Sequence, residues 1–491
     1  MTSNITNLSE LESVLCQNDK TNEGILHFFS TFKITRLISA FGSFKSKGVK
    51  VSVLLLSLLI YRLRGESINM MQNKNKNFLE KIDDNTFYRL MNNPWMNWRK
   101  LLMGFAKQFN VIAKTNGDNT PRIKCFVLDD TVVEKAGKTI ESIGKVFNHV
   151  NQLYQLGFKL LLLGFWDGKS LVATDCSLHS EEGKKGNYGM TKKELKSQFR
   201  KKRDPKSPAS KRVQEIDMKK GDVAVSMIKR AVKNGLIANY VLMDSWFVSD
   251  YMIKSIRSIK KGAMHILGMC KMDKRQYTVD KKLLKAHELI AKYGRKRSKY
   301  SRKYKATYIS LVVDYKGSKV RLFFLRYNNA KKWTLLLTTD LNISFIKTVE
   351  IYQIRWTIEV LFKECKQYLR LGGSQNTDFD GQIADITITL VTHTILSLQK
   401  RFTSYETMGE LFRENQLKLL ELTLWERLIK LFIKLMIQMA IILTVDIEEL
   451  MEKLMQNDQT SLKLLTLLKA IDNFDDNQHN HSENVNCSIV S

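Results

Sequence analysis

The sequence predicts an α/β protein with helical N-terminal and C-terminal regions, and three observations predict it. Apolar strand-like runs end in acidic residues at Asp129 and Asp244. Amphipathic helical stretches follow those runs. A third acid, Glu359, lies in YQIRWTIEVLFKECK (352–366), which sorts into two faces when read at about 100° per residue. Tyr352, Arg355, Glu359 and Lys366 fall within an arc of roughly 60°. Ile354, Ile358, Leu361, Cys365 and Tyr368 point roughly the other way. One face therefore carries a carboxylate, two cations and a phenol. By spacing alone, a solvated helix face with an Arg355–Glu359 i,i+4 pair accounts for this pattern better than a catalytic one.

Charge changes that balance. Among 491 residues, 79 Lys+Arg stand against 49 Asp+Glu, a net +30. Such an excess points to a polyanion, because each phosphate neutralised releases counterions. Nucleic acid fits better than a membrane, since no apolar run approaches the roughly 20 residues of a span. The start, MTSNITNLSELES, is polar and has no signal-peptide pattern. The six cysteines (Cys16, Cys125, Cys176, Cys270, Cys365, Cys487) are dispersed, with neither zinc spacing nor a disulfide framework. That usage fits a reducing cytoplasm.

Residues 1–115 read as a helical N-terminal region and a candidate DNA-binding module; a cap packed on the main domain is the alternative. Helical signals lie at 25–41, 51–63 and 87–105, with a new turn or helix starting near Pro94. Ile123–Leu128 is the first strong strand, delivering Asp129-Asp130-Thr131. Phe158–Trp166 and Ser170–Leu178 form a hairpin across an Asp167-Gly168 turn. Residues 184–220 are crowded with Lys192, Lys193, Lys196, Arg200, Lys201, Lys202, Arg203, Lys211 and Arg212, and read as a mobile loop that contacts DNA. Val223–Val232 is a helix stopped by Asn234-Gly235. Tyr240–Met243 is a second short strand, ending in Asp244-Ser245-Trp246. Ser249 caps the next helix, and Ala263–Met269 is a further strand. Residues 271–332 form a β-rich insertion whose hairpin turns at Lys316-Gly317-Ser318. Trp333–Leu337 returns as a strand ahead of the Glu359 helix. Apolar helices follow at 383–398 and 417–454, and the tail from about 472 is polar and disordered.

Strand with acid, hairpin, helix, strand with acid, helix, strand, insertion, helix with acid: this is the order of an RNase H-like fold. The catalytic core then comprises 116–270 and 333–400, interrupted by the 271–332 insertion, with 401–491 as a helical C-terminal region and candidate dimerisation surface. Asp129 and Asp244 end neighbouring parallel strands, with Glu359 on a helix beside them. Three such carboxylates can hold two divalent ions about 3.5–4 Å apart that clamp a phosphodiester. Mg²⁺ suits an all-oxygen set.

Here the residues resemble a known family. Tyr352, Arg355, Glu359 and Lys366 match the Tyr-x2-Arg-x3-Glu-x6-Lys signature of bacterial DDE transposases of the insertion-sequence-four type. The Asp-x-Thr at Asp129, the Asp-Ser-Trp at Asp244, Arg355-Trp356 and Leu371-Gly372-Gly373-Ser374-Gln375 are similar to that family too. The resemblance spans roughly residues 25–400. It implies cut-and-paste movement of a DNA element by a homodimer that pairs two terminal inverted repeats. Each end is nicked by hydrolysis, the freed 3′-hydroxyl attacks the opposite strand to form a hairpin, a second hydrolysis opens it, and the 3′ ends join target DNA. It also implies a cytoplasmic, nucleoid-associated bacterial protein. By matching position, Asp129, Asp244 and Glu359 are the catalytic metal ligands for two Mg²⁺ ions, with Mn²⁺ as substitute. Tyr352, Arg355 and Lys366 contact DNA phosphates, Arg as a fork and Lys as a point charge.

Asp130 competes with Asp129 for the first ligand position. Side chains alternate along a strand, so only one faces the ions, and the Asp-x-Thr match favours Asp129. Asp250 reads as helix N-terminal charge, Glu364 as lying off the active face, and Glu134 as a further nearby acid. Trp246 and Trp356 can stack on a base, but packing is the role expected of each. Two other readings stay open: a DNA-binding protein from a decayed or repurposed element, and an RNase H-like nuclease without strand transfer.

Overall fold

The sequence CFVLDDTVVE forms β1 (Cys125–Glu134), the strand around which the sheet is laid out. In the computed structural model the described residues are 51–63, 67–70, 82–115, 122–328 and 330–402, with Val49 and Gly65. All fall in one compact unit, His27–Leu417. The helices expected at 25–41 and 417–454, the C-terminal dimerisation surface, the tail, Cys16 and Cys487 lie outside the described residues. The other four cysteines are buried free thiols.

After β1 come β2 (Gly144–Asn148), β3 (Leu153–Trp166), β4 (Leu171–His179), β5 (Tyr240–Met243) and β6 (His265–Cys270). Then follow β7 (Gln276–Val279), β8 (Lys282–Lys285), β9 (Ser298–Ser301), β10 (Ala306–Tyr315), β11 (Ser318–Tyr327) and β12 (Thr334–Thr338). Among the described residues these make one twelve-stranded mixed sheet, ordered β2-β3-β1-β5-β6-β12-β11-β10-β7-β8, with β4 beside β3 and β9 beside β10. Strands β1, β5 and β6 are parallel, while β3 runs antiparallel to both β1 and β4. The order β4-β3-β1-β5-β6 is compatible with an RNase H-like arrangement. The residues between β6 and β12 extend this sheet, because β12 pairs antiparallel with β6 and the β10–β11 hairpin pairs with β12 in turn.

The helices are α1 (Val51–Leu63), α2 (Asp84–Met91), α3 (Trp98–Thr115), α4 (Lys192–Ser197), α5 (Pro208–Gln214) and α6 (Lys220–Lys233). They continue as α7 (Asp250–Ser258), α8 (Ala286–Arg297), α9 (Phe345–Gln353), α10 (Trp356–Tyr368) and α11 (Phe379–Phe402). Helix α10 packs on β1, α6 on β3 and β4, and α7 and α9 on β6. Helix α11 is buried on every side from Phe379 to Leu398, as befits a helix apolar all round. Its interior threonines remain satisfied: Thr387, Thr389, Thr392 and Thr394 each donate to the carbonyl four residues earlier. No described helix is long and apolar enough to cross a membrane.

Several expectations are corrected. Strand β1 does not end at Leu128; all ten of its residues pair with β3, so Asp129 and Asp130 sit inside a strand. The turn before β4 is four residues, not two, because the Asp167 carboxylate accepts the Lys169 and Ser170 N–H groups at 3.0 and 2.8 Å. The basic segment 184–220 is not a loose loop. Thr191 and Glu194 close a capping box on α4, and Ser207 caps α5 with Pro208 in its first turn. Lys201 reaches Asp378 (2.7 Å) and Asp380 (2.9 Å), while Arg203 clasps Glu141 (2.6 Å) and Asp380 (3.0 Å). Arg212 donates to the Cys176 carbonyl. Three of the nine named cations are therefore internal struts. Lys192, Lys193, Lys196, Arg200, Lys202 and Lys211 are exposed.

Candidate active site

Strands β1 and β5 pair in register as far as Leu128 opposite Met243. The next residue on each is an aspartate. Neighbouring strands lie about 4.8 Å apart, so Asp129 and Asp244 are brought side by side. Asp244 sits just past its strand, where its carboxylate accepts the Trp246 N–H at 3.0 Å. Gly268 on β6 lets the following residues lie close. A Cβ there would fall 2.4 Å from a methyl of Val248.

The pleat separates the two adjacent aspartates of β1. Asp130 turns to the α6 side, where Lys220 Nζ lies 2.6 Å and Lys159 Nζ 4.0 Å from its carboxylate. Asp129 turns to the α10 side. Arg355 Nη1 donates to Asp129 Oδ2 at 3.0 Å, and Arg355 Nη2 donates to Glu359 Oε1 at 2.6 Å. Lys366 Nζ donates to Thr131 Oγ1 at 2.8 Å, two residues along the same face of β1. The Arg355 guanidinium lies 5.7 Å from the Tyr352 ring.

Tyr352 to Lys366 is not one helix. Tyr352 belongs to α9, and α10 begins at Trp356. Between them the hydrogen bonds tighten from i+4 to i+3: Arg355 N–H to Tyr352 C=O at 3.0 Å, Thr357 N–H to Ile354 C=O at 3.0 Å. Ile354 and Arg355 nevertheless keep right-handed helical dihedrals. The break therefore adjusts the phase of the polar stripe without turning it away from β1.

Burial, then the adjacent Asp244, pushes the Asp129 carboxyl up to about 7 against the opposing pull of Arg355. Burial likewise raises Asp244, with Asp130 adding to it, although the Trp246 and Phe247 N–H groups pull the other way. Tyr352 is pushed up to about 12 by burial, and burial lowers Lys366. Two under-neutralised carboxylates facing an all-oxygen site fit a hard divalent cation. As placed, no three acids, histidines or cysteines among the described residues are gathered closely enough to hold one. Arg355 instead bonds Asp129 and Glu359, supplying positive charge between them.

The other acids lie elsewhere. Glu364 bonds His393 Nε2 at 2.8 Å, off the active face. Asp250 is in the first turn of α7 and 3.3 Å from Lys316. Glu134 accepts from Gln155 at 3.1 Å. Trp246 packs against Phe247 (4.9 Å between rings) while 53% exposed, and Trp356 is 61% exposed. Sequence reasoning missed Lys220, which bridges Asp130 and the Trp246 ring (4.9 Å) from the start of α6. No spacing rule announces a partner ninety residues away. It also missed the tie from Thr131 to Lys366, although the alternation that puts Thr131 on the Asp129 face was available.

Residues 217–395 match the family model described as a transposase DDE domain. Over that segment the chain is similar to DDE transposases. It contains Asp244, Tyr352, Arg355, Glu359 and Lys366; Asp129 lies ahead of it. No curated protein matches the chain significantly.

Proposed function

We propose that this chain is a DDE-type transposase of the insertion-sequence-four kind, moving a DNA element by hydrolysis and strand transfer at its terminal inverted repeats. One observation carries the reading: Arg355 ties Asp129 of β1 to Glu359 of α10, with Asp244 one strand away. That these residues, far apart in sequence, lie near one another in space supports the reading.

Asp129, Asp244 and Glu359 would hold the divalent ions, Mg²⁺ or Mn²⁺, which neutralise phosphodiester charge and acidify a bound water. The chain's own residues orient the DNA. Lys366, fixed by Thr131, presents a point charge, and Tyr352 and Arg355 present a phenol and a planar fork to backbone phosphates. The +30 charge draws the duplex in. A homodimer pairing two ends, acting cut-and-paste in the bacterial cytoplasm, completes the proposal.

The test is Glu359→Gln. This variant should lose Mg²⁺-dependent nicking at the element's ends while retaining end binding in a gel-shift assay. Nicking at the wild-type rate would sink the assignment. A joining assay on pre-cut ends separates a transposase from a simple nuclease, since only the former links them to target DNA.

A further inference from the structure

A second basic site stands off the opposite face of the sheet. Asp130, Leu161 and Ser177 are register neighbours across β1, β3 and β4, and Asp175 lies two residues from Ser177. Asp175 therefore shares the Asp130 face, away from Asp129. Buried Asp175 and Glu215 are met there by guanidinium groups from three helices. Arg99 of α3 lies 2.8 Å from Asp175 and 2.6 Å from Glu215, and Arg230 of α6 lies 2.7 Å from Asp175. Arg212 of α5 is buried beside them and, among the described residues, donates to the neutral Cys176 carbonyl. Three guanidinium groups thus face two carboxylates.

These arginines line a cavity of about 500 Å³, with Lys206 and Lys211 also on its wall. Both lysines are exposed, and neither makes an ion pair among the described residues. The N-terminal end of α3, at Asn97 and Trp98, lines the cavity as well and has no acidic residue in its first turn. It adds the partial positive charge of a helix start. One acid, Asp380, lines the cavity too; Lys201 (2.9 Å) and Arg203 (3.0 Å) hold it while also serving Asp378 and Glu141. Burial, then the neighbouring Arg99, pulls Arg212 below its usual range, while Asp175 and Glu215 oppose that pull.

We propose that this cavity is a phosphate-binding subsite that grips the DNA backbone away from the carboxylate centre. The inference rests on the transposase reading for its source of phosphate. A free phosphate would leave most of the volume empty, whereas roughly 300–1,000 Å³ suits a ligand of nucleotide size. Lys206 and Lys211 make the outer contacts, and the three arginines set the potential behind them.

The experiment is the double variant Lys206→Gln/Lys211→Gln, both surface changes, measured for binding to random-sequence duplex DNA across a salt series. The slope of log affinity against log salt should fall by about 0.9 for each phosphate that is no longer neutralised, so by nearly 2 for the pair of lysines. Inorganic phosphate should raise the Tm of the wild type and have less effect on the double variant. An unchanged slope overturns the proposal while leaving the transposase reading intact. Loss of the phosphate effect with an unchanged slope also overturns it, in favour of a free-anion site. A wild-type chain that binds no DNA overturns both readings.

Discussion

Two adjacent aspartates with opposite surroundings set the terms at the residue scale. Asp129, half-buried beside Asp244, holds its proton up to about 7, whereas Asp130 is met by Lys220 at 2.6 Å. A carboxyl raised on folding stabilises the fold while protonated, and that contribution is lost as pH rises from the ordinary carboxylate range through about 7. Each pH unit in that window is worth about 1.4 kcal/mol. Asp129→Asn should therefore flatten the fall in Tm across this window in metal-free buffer and abolish cleavage. A Tm profile that still falls as in the wild type counts against the assigned environment. Asp130→Asn should do the reverse, costing stability by stranding Lys220 and Lys159 while leaving a measurable nicking rate. Thr131 belongs to the same argument. Thr131→Val should weaken DNA binding through a displaced Lys366, and Thr131→Ser, which keeps the hydroxyl, should restore it; equal binding by both would remove the positioning role. Period-two alternation made it legible in the sequence that only one aspartate can face the helix. The lysines that claim the other were not legible, because they come from distant positions in β3 and α6.

Elements show where a sequence pattern carries information and where it does not. The β10–β11 hairpin, the Asn234-Gly235 stop and the Ser249 cap follow local rules and stand within a residue or two of where those rules put them, whereas β3 starts five residues ahead of the expected Phe158. The length of β1 was not local; it is set by β3, which supplies partners through Glu134. The kink between α9 and α10 left no trace in the polar stripe, since Ile354 and Arg355 stay helical in dihedral while their hydrogen bonds shorten by one residue. The basic segment is the clearest failure. Lysines and arginines bound inward to Asp378, Asp380 and Glu141 read the same in sequence as lysines in solvent. The distinction can be measured. Arg203→Ala, at a 5%-exposed side chain, should cost about 3–5 kcal/mol in urea unfolding because it leaves buried carboxylates unpaired. Lys202→Ala, exposed one residue earlier, should stay within about 0.5 kcal/mol. Similar losses for the two would mean that the network contributes little.

For the whole molecule, the sheet separates two kinds of charge. On one face a single guanidinium joins Asp129 and Glu359, with Asp244 one strand away; the other gathers arginines around the buried pair Asp175 and Glu215. In a chain of net charge +30, a carboxylate centre is where hard cations are drawn, whereas the basic surface attracts a polyanion. Cation binding should therefore report on the centre independently of DNA. Above about pH 7 Asp129 is ionised beside Asp244, and a divalent ion relieves the repulsion while competing with Arg355 for Asp129 and Glu359. Mg²⁺ or Mn²⁺ should then raise Tm, with each tenfold excess over Kd adding about 1.4 kcal/mol, and a chelator should reverse the gain. Well below that pH Asp129 keeps its proton and the gain should shrink, because binding must first expel that proton. Arg355→Gln should bind the ion more tightly, since the competing guanidinium is gone, even if DNA is then held less well. A metal-induced rise in Tm that is insensitive to pH, or that survives Asp129→Asn/Asp244→Asn, would place the ion elsewhere on the molecule.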